Sequence, residues 1–285
     1  MDIVDWNHTV PNTIKLPMTS ATSGLMQKVT EKLFCLTTQI VNVCFIGDPT
    51  KAHGWVLNDT GMPGKSDMIT EALIKQFGES NPPSAILLTH GHFDHVGGAF
   101  DLAQNWDVPI YIHPDELPYV TGEKAYPKPD ATVEGGLVAK LSRFFPNEPI
   151  QLDDYVKPLP DKLDFVGLEN EWTWLHVPGH SPGQVAFFRE RDKALLSADA
   201  IITVKQDELF DVITQNQQIQ GPPRYWTTDW TAAHRSVQKL RSLDPAVLVP
   251  GHGLPLFGQE LRDSLAVLDQ QFERIAVPDY GKYVQ

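Results

Sequence analysis

The sequence predicts an α+β fold: two mixed β-sheets stacked as a sandwich with helices on the outer faces, formed as one domain over residues 1–285. Three observations predict it. Short runs rich in β-branched and aromatic residues recur along the chain, and amphipathic segments at helical spacing separate them. The order strands–helix–strands is followed by strands–helix–strand–helix, which reads as two similar halves. No self-similarity at a period of roughly 20–50 residues points to a repeat architecture instead.

The first half opens with "KLFCLTTQIVNVCFI" (32–46), read as two adjacent strands, and "GWVLNDTG" (54–61), a third strand ending in a tight Asp59-Thr60-Gly61 turn. In "GKSDMITEALIKQFG" (64–78), Met68, Ile69, Leu73 and Phe77 recur at helical spacing and Gly78 supplies a stop. "SAILLTH" (84–90) and "VPIYIH" (108–113) are short apolar runs that read as buried strands. From about 114 to 160 the texture changes, and eight of the 23 prolines fall there, so regular sheet throughout is excluded. Within this cap or insertion, "GGLVAKLSRFF" (135–145) places Leu137, Val138, Leu141, Phe144 and Phe145 on one helical face.

The second half resumes with "WTWLHV" (172–177), "QVAFFRE" (184–190) and "ALLSAD" (194–199), which read as successive antiparallel strands. "TTDWTAAHRSVQKLRSL" (227–243) is a helix with Thr228 or Asp229 as its cap. "PAVLVPGHG" (245–253) is another buried strand, and "GQELRDSLAVLDQQFERI" (258–275) a final amphipathic helix.

Composition narrows the function classes. A formal charge of −13 and the lack of any Lys/Arg-rich run argue against nucleic acid as partner. No apolar run approaches the ~20 residues of a membrane-spanning helix. The stretch "MDIVDWNHTVPNTIKLPM" carries Asp2 and Asp5 without an apolar signal core, so a cytoplasmic location is expected. Cys35 and Cys44 lie in apolar surroundings and read as reduced core residues rather than a redox pair.

"THGHFDHVGG" (89–98) concentrates three of the ten histidines in six positions. His90 and His92, two apart in extended backbone, project to the same side and can reach one ion. Asp94 and His95 follow, and adjacent residues point in different directions, which suits a second ion nearby. Burying four such groups together without a cation would leave them poorly satisfied. Two zinc-type cations need more donors than this loop supplies. Three later residues stand in matching contexts beyond apolar strands: His180 in "VPGHSPG", Asp199 in "LLSADA" and His252 in "VPGHG".

H-x-H-x-D-H at 90–95, followed in order by His180, Asp199 and His252, resembles the metallo-β-lactamase-fold hydrolase superfamily, and the likeness runs over nearly the whole chain. "TVKQDELF" and "GPPRYWTTDW" further resemble a subgroup known only as probable metallo-hydrolases. The resemblance implies an αββα sandwich with two zinc ions, manganese or iron being alternatives, at one edge of the sheets. It implies that His90, His92 and His180 hold the first ion, that Asp94, His95 and His252 hold the second, and that Asp199 bridges them. Asp59 is expected to brace the loop by hydrogen bonding. The implied mechanism is attack by a metal-bridging hydroxide on a polarised carbonyl, with the second metal, or a proton relayed through Asp94, helping the leaving group depart.

Individual residues separate the branches. β-Lactamases of this fold have Cys or Ser at the bridging position, so Asp199 argues against antibiotic hydrolysis. Quorum-quenching lactonases share all seven ligands, but their tyrosine three residues past the bridging aspartate is Ile202 here. Glyoxalase II-like thioesterases use basic residues after the last histidine, where "LPLFGQELRDS" offers only Arg262. What remains is a small-molecule ester, lactone or thioester, with Phe144, Phe145, Leu209, Phe210, Tyr225 and Trp226 as candidate contacts for an acyl chain. A mononuclear iron persulfide dioxygenase-like oxidoreductase is the alternative from another reaction class, and a non-catalytic binding module is a third. His176 is a candidate support for His180, whereas His8, His53, His113 and His234 receive no functional role. Oligomeric state stays open.

Overall fold

A computed structural model describes the protein over residues 19–148, 150–152, 155–168 and 170–284. Asp2, Asp5 and His8 lie outside the described residues. The described residues divide into two compact units, one lying within 19–126 and 147–172, the other within 127–146 and 173–284.

The first unit is built on a seven-stranded mixed sheet in the order β1-β2-β3-β4-β5-β6-β7. Strands β1 (Met26–Thr30), β2 (Leu33–Thr38), β3 (Val41–Gly47) and β4 (Trp55–Asn58) form an antiparallel meander. Strands β5 (Ala85–Leu87), β6 (Ile110–Ile112) and β7 (Val156–Pro158) continue it in parallel. Parallel neighbours need crossovers, and helix α1 (Ser66–Phe77) supplies the one from β4 to β5. Ile69 and Leu73 of α1 are buried with Val43, Phe45, Leu57, Ile86 and Ile110 of the sheet, and Gly78 ends the helix at φ 88° as expected. The β5–β6 crossover carries α2 (Phe93–Val96) and α3 (Ala99–Trp106), whose Leu102 and Ala103 join the same core.

The second unit holds a five-stranded mixed sheet in the order β14-β13-β10-β9-β8. Its strands are β8 (Trp172–His176), β9 (Val185–Arg189), β10 (Ala194–Ala198), β13 (Val247–Pro250) and β14 (Leu256–Phe257). Strands β11 (Ile202–Val204) and β12 (Gln217–Gln220) make a separate ribbon. Helix α7 (Trp230–Arg241) buries Ala233, Val237 and Leu240 against Ala186, Phe188, Leu195 and Leu248. Helix α8 (Gly258–Gln270) adds Leu261, Leu265 and Leu268 to that cluster. Asp229 is the cap of α7, its carboxylate accepting the Ala232 N–H at 2.8 Å.

The structure departs from the sequence reading in two places. Strands β1 and β7 carry no clear pattern, yet both form, at the two edges of the large sheet. The predicted helix at 135–145 is an α-turn (Leu137–Leu141) that tightens to 3₁₀ (Ser142–Phe144), so its apolar residues do not share a face. Val138 and Phe145 are buried, while Leu137 and Phe144 are exposed. The 114–160 stretch also divides at residues 126 and 146 between the two units.

Candidate metal centre

Parallel strands deliver chain at their carboxyl ends, which is where ligands gather in such sheets. Strand β5 stops at Leu87, and after Leu88 come Thr89, His90, Gly91 and His92. His92 is extended (φ −66°, ψ 146°), and the next four residues close one turn of α2, carrying Asp94 and His95. All four ligand candidates on this unit are buried. His90 Nε2 and His92 Nδ1 converge to 3.0 Å, and the His90 and His95 rings lie 4.2 Å apart. The glycines that follow act by close approach rather than by unusual backbone angles. A Cβ on Gly97 would lie 2.2 Å from the Pro63 nitrogen, inside the turn after Asp59.

On the second unit, register does the equivalent work. Strands β10 and β13 are parallel neighbours with Ala198 opposite Pro250, so Asp199 and His252 emerge side by side. The pairing skips a residue between Leu196 and Ala198, and Ala198 sits at φ 49°. Such a bulge with a left-handed non-glycine residue re-aims the side chain that follows it, here Asp199. His180 comes from the β8–β9 connection, which His176 steadies by placing Nε2 2.8 Å from the Pro182 carbonyl. Asp199 Oδ2 lies 3.4 Å from His180 Nε2 and 3.3 Å from His252 Nε2. These separations exceed a good charged hydrogen bond. They match two donors on one tetrahedral zinc-type ion, whose ligand atoms sit about 3.4 Å apart. One carboxylate oxygen placed this way between two imidazoles is suited to bridging.

Hydrogen bonds fix the tautomers. A carboxylate only accepts, so Asp59 Oδ2, 2.9 Å from His95 Nδ1, requires a proton there, and in the neutral ring the lone pair is then on Nε2. The Thr89 hydroxyl donates to Asp59 at 2.9 Å and therefore accepts from His90 Nδ1 at 3.0 Å. The Thr227 hydroxyl donates to the Pro223 carbonyl at 2.8 Å and accepts from His180 Nδ1 at 3.3 Å. Gln206 meets His252 Nδ1 at 3.2 Å. Exchanging the two ends of that amide gives its buried Oε1 a partner and His252 the same tautomer. Neutral imidazoles held at Nδ1 by an outer acceptor, with Nε2 turned inward, are the form that binds a cation. The residues present fit the metal that the resemblance implies.

Asp59 thus braces the loop as expected, at φ 59° on its turn, and also accepts the Thr89 N–H at 2.8 Å. Sequence reasoning missed Thr89, Thr227, Gln206, and a buried pair beside His92. That pair is Glu116 and Tyr126, hydrogen-bonded to each other. Burial and then the Glu116 charge push the Tyr126 phenol well above its ordinary range. Of the candidate acyl contacts, Phe145, Tyr225 and Trp226 are buried, with the Phe145 and Tyr225 rings edge to face at 5.7 Å, while Phe144 and Phe210 are 70% and 74% exposed. Arg262 is turned to Gln259 on its own helix. Cys35 and Cys44 are free, buried and directly opposite across β2 and β3.

Comparison with known proteins matches residues 36–252 to the family model described as "Metallo-beta-lactamase superfamily". The chain is 42% identical over 260 residues to "Probable metallo-hydrolase YflN" of Bacillus subtilis (strain 168), covering 91% of this chain and 98% of that protein. It is 30% identical over 225 residues to "Probable metallo-hydrolase YybB" of the same organism, covering 75% and 87%. Among solved structures, BJP-1, a subclass B3 metallo-beta-lactamase of Bradyrhizobium japonicum, superposes with a TM-score of 0.56 at 19% identity, covering 90% of this chain and 94% of that one. That likeness shows the fold, two mixed sheets with helices.

Proposed function

This chain belongs to the metallo-β-lactamase superfamily, and on that premise we propose that it is a dinuclear metal-dependent hydrolase of a small-molecule ester, lactone or thioester. It is an enzyme of the metallo-hydrolase class, as its relatives are named. The observation that carries the finer reading is Asp199 Oδ2 held between the Nε2 atoms of His180 and His252. On this reading His90, His92, Asp94, His95, His180, Asp199 and His252 serve as one ligand set for two zinc ions. Bound ions of this kind activate water and polarise a carbonyl.

The chain's own residues do the rest. Asp59, Thr89, Thr227 and Gln206 hold the imidazoles at Nδ1 and so keep them aimed. Asp94, buried on its helical turn, takes the proton given up by the attacking water at a carboxylate oxygen and passes it to the leaving group. Phe144 and Phe210, both exposed, stay candidates for contact with an acyl chain. Asp199, where β-lactamases carry Cys or Ser, and the −13 charge turn the reading away from antibiotics and nucleic acids. Among the described residues no helix is long and apolar enough to cross a membrane. The buried free thiols favour the cytoplasm.

The test is metal analysis of anaerobically purified protein together with a screen of lactones, thioesters and aryl esters on the zinc- and manganese-loaded forms. Two ions per chain, and hydrolysis that falls by several orders of magnitude in Asp199→Asn and His92→Ala, are expected. A single iron per chain with persulfide oxidation would overturn the assignment in favour of an oxygenase.

A further inference from the structure

Between His90 and His92 stands Gly91, whose amide N–H is directed at two acceptors at once. Glu116 Oε2 and Tyr126 Oη each lie 3.0 Å from it. Glu116 is completely buried, on the 3₁₀ turn Pro114–Glu116. The Tyr126 hydroxyl donates to Glu116 Oε2, so phenol and carboxylate close a three-membered arrangement with the Gly91 N–H. The Tyr126 ring is fixed on its far side by stacking on Tyr119, 4.0 Å apart and 6° from parallel. It also stands against the His92 ring at 4.4 Å, with 60° between the planes. The fit leaves no slack: a Cβ at position 91 would lie 2.6 Å from Tyr126 Oη and 2.9 Å from Val120.

We propose that Glu116 and Tyr126 are positioning residues that pin the peptide between His90 and His92 and fix the ring of His92 so that Nδ1 is presented beside His90 Nε2. This rests on the reading of His90 and His92 as metal ligands. A buried carboxylate is costly unless strong donors satisfy it, so a fold that needed only packing here would be served by an apolar residue. Two acceptors converging on one N–H restrain its direction more tightly than one can. The ring against His92 then opposes the half-turn about Cβ–Cγ that would put Cδ2 where Nδ1 stands.

The experiment is a chelator-competition titration of zinc into metal-free wild type, Glu116→Ala, Glu116→Gln and Tyr126→Phe, with the absorption spectrum of each cobalt-loaded protein and the melting temperature of each metal-free form. Glu116→Ala should weaken one of the two binding events by about 10- to 100-fold, leave the other near wild type and alter the cobalt bands. Glu116→Gln, which still offers Gly91 a carbonyl oxygen, should recover most of that affinity. Should Glu116→Ala fail to fold, Tyr126→Phe carries the same expectation at smaller size, since it keeps the ring and loses only the hydroxyl. Wild-type zinc affinity and cobalt bands in Glu116→Ala or, in its place, Tyr126→Phe would overturn the proposal. So would equal weakening of both sites in step with a fall in melting temperature. Failure of the underlying reading looks different: His92→Ala would then bind zinc as wild type does.

Discussion

Asp59 shows how much of this site is carried by residues that are not ligands. Its carboxylate takes the Thr89 N–H, the Thr89 hydroxyl and His95 Nδ1, all within 2.9 Å. Asn at position 59 keeps the shape but faces one of those donors with an NH₂ group. Asp59→Asn should therefore weaken zinc binding by about 10- to 100-fold and cost about 1–3 kcal/mol of stability. Zinc titration and chemical denaturation measure the two effects, and unchanged affinity would deny the bracing role. Asp59 was legible because Asp-Thr-Gly after an apolar strand announces a turn, and the seven ligand candidates because H-x-H-x-D-H is hard to explain otherwise. Glu116, Gln206 and Thr227 were not legible. Each acts on a residue 25 to 47 positions away, and a single hydroxyl, amide or carboxylate has no period to betray it.

Elements with a buried face declared themselves, and those at an edge did not. Helices α1, α7 and α8 keep an apolar stripe, and β5, β10 and β13 are continuous apolar runs covered on both faces, so both periods could be read. Strands β1 and β7 close the two ends of the seven-stranded sheet, where one side of the ladder faces outward and polar residues such as Gln27, Lys28 and Lys157 are tolerated. The end signal of α7 makes a quantitative prediction: Asp229→Ala should cost about 1 kcal/mol in denaturant unfolding, with no change in metal content. The pair α7–α8 makes another. Asp269 accepts from Arg241 and His234 across the two helices. Burial opposes its charged form, but these contacts together with Gln238 outweigh it and hold the carboxyl below its ordinary value. A depressed folded pKa contributes stability above the unfolded value of about 3.9, which is lost as pH falls through the folded one. Asp269→Asn should thus be less stable than wild type by up to about 1 kcal/mol at pH 7. The two proteins should converge as pH falls through that depressed value, which urea denaturation across pH would show.

At the scale of the whole molecule the chain is acidic, and the proposed ligands are five of its ten histidines with two aspartates. If the seven residues act as one ligand set, metal binding is linked to folding, because the unfolded chain offers no such arrangement. At free zinc one hundred times the dissociation constant, each occupied site adds about 2.7 kcal/mol, enough to move the melting temperature by several degrees. The same linkage fixes the pH dependence. A zinc-bound imidazole must be unprotonated, and free histidine takes up its proton near pH 6.5. The zinc-dependent part of the stability is therefore present at pH 7.5 and shrinks as pH falls toward 5, while the metal-free protein lacks it at every pH. Calorimetry with zinc and with a chelator, repeated across that range, should show two melting temperatures that approach each other as the solution is acidified. Identical melting with and without zinc at pH 7.5 would mean that these histidines hold no ion, whatever the family they belong to.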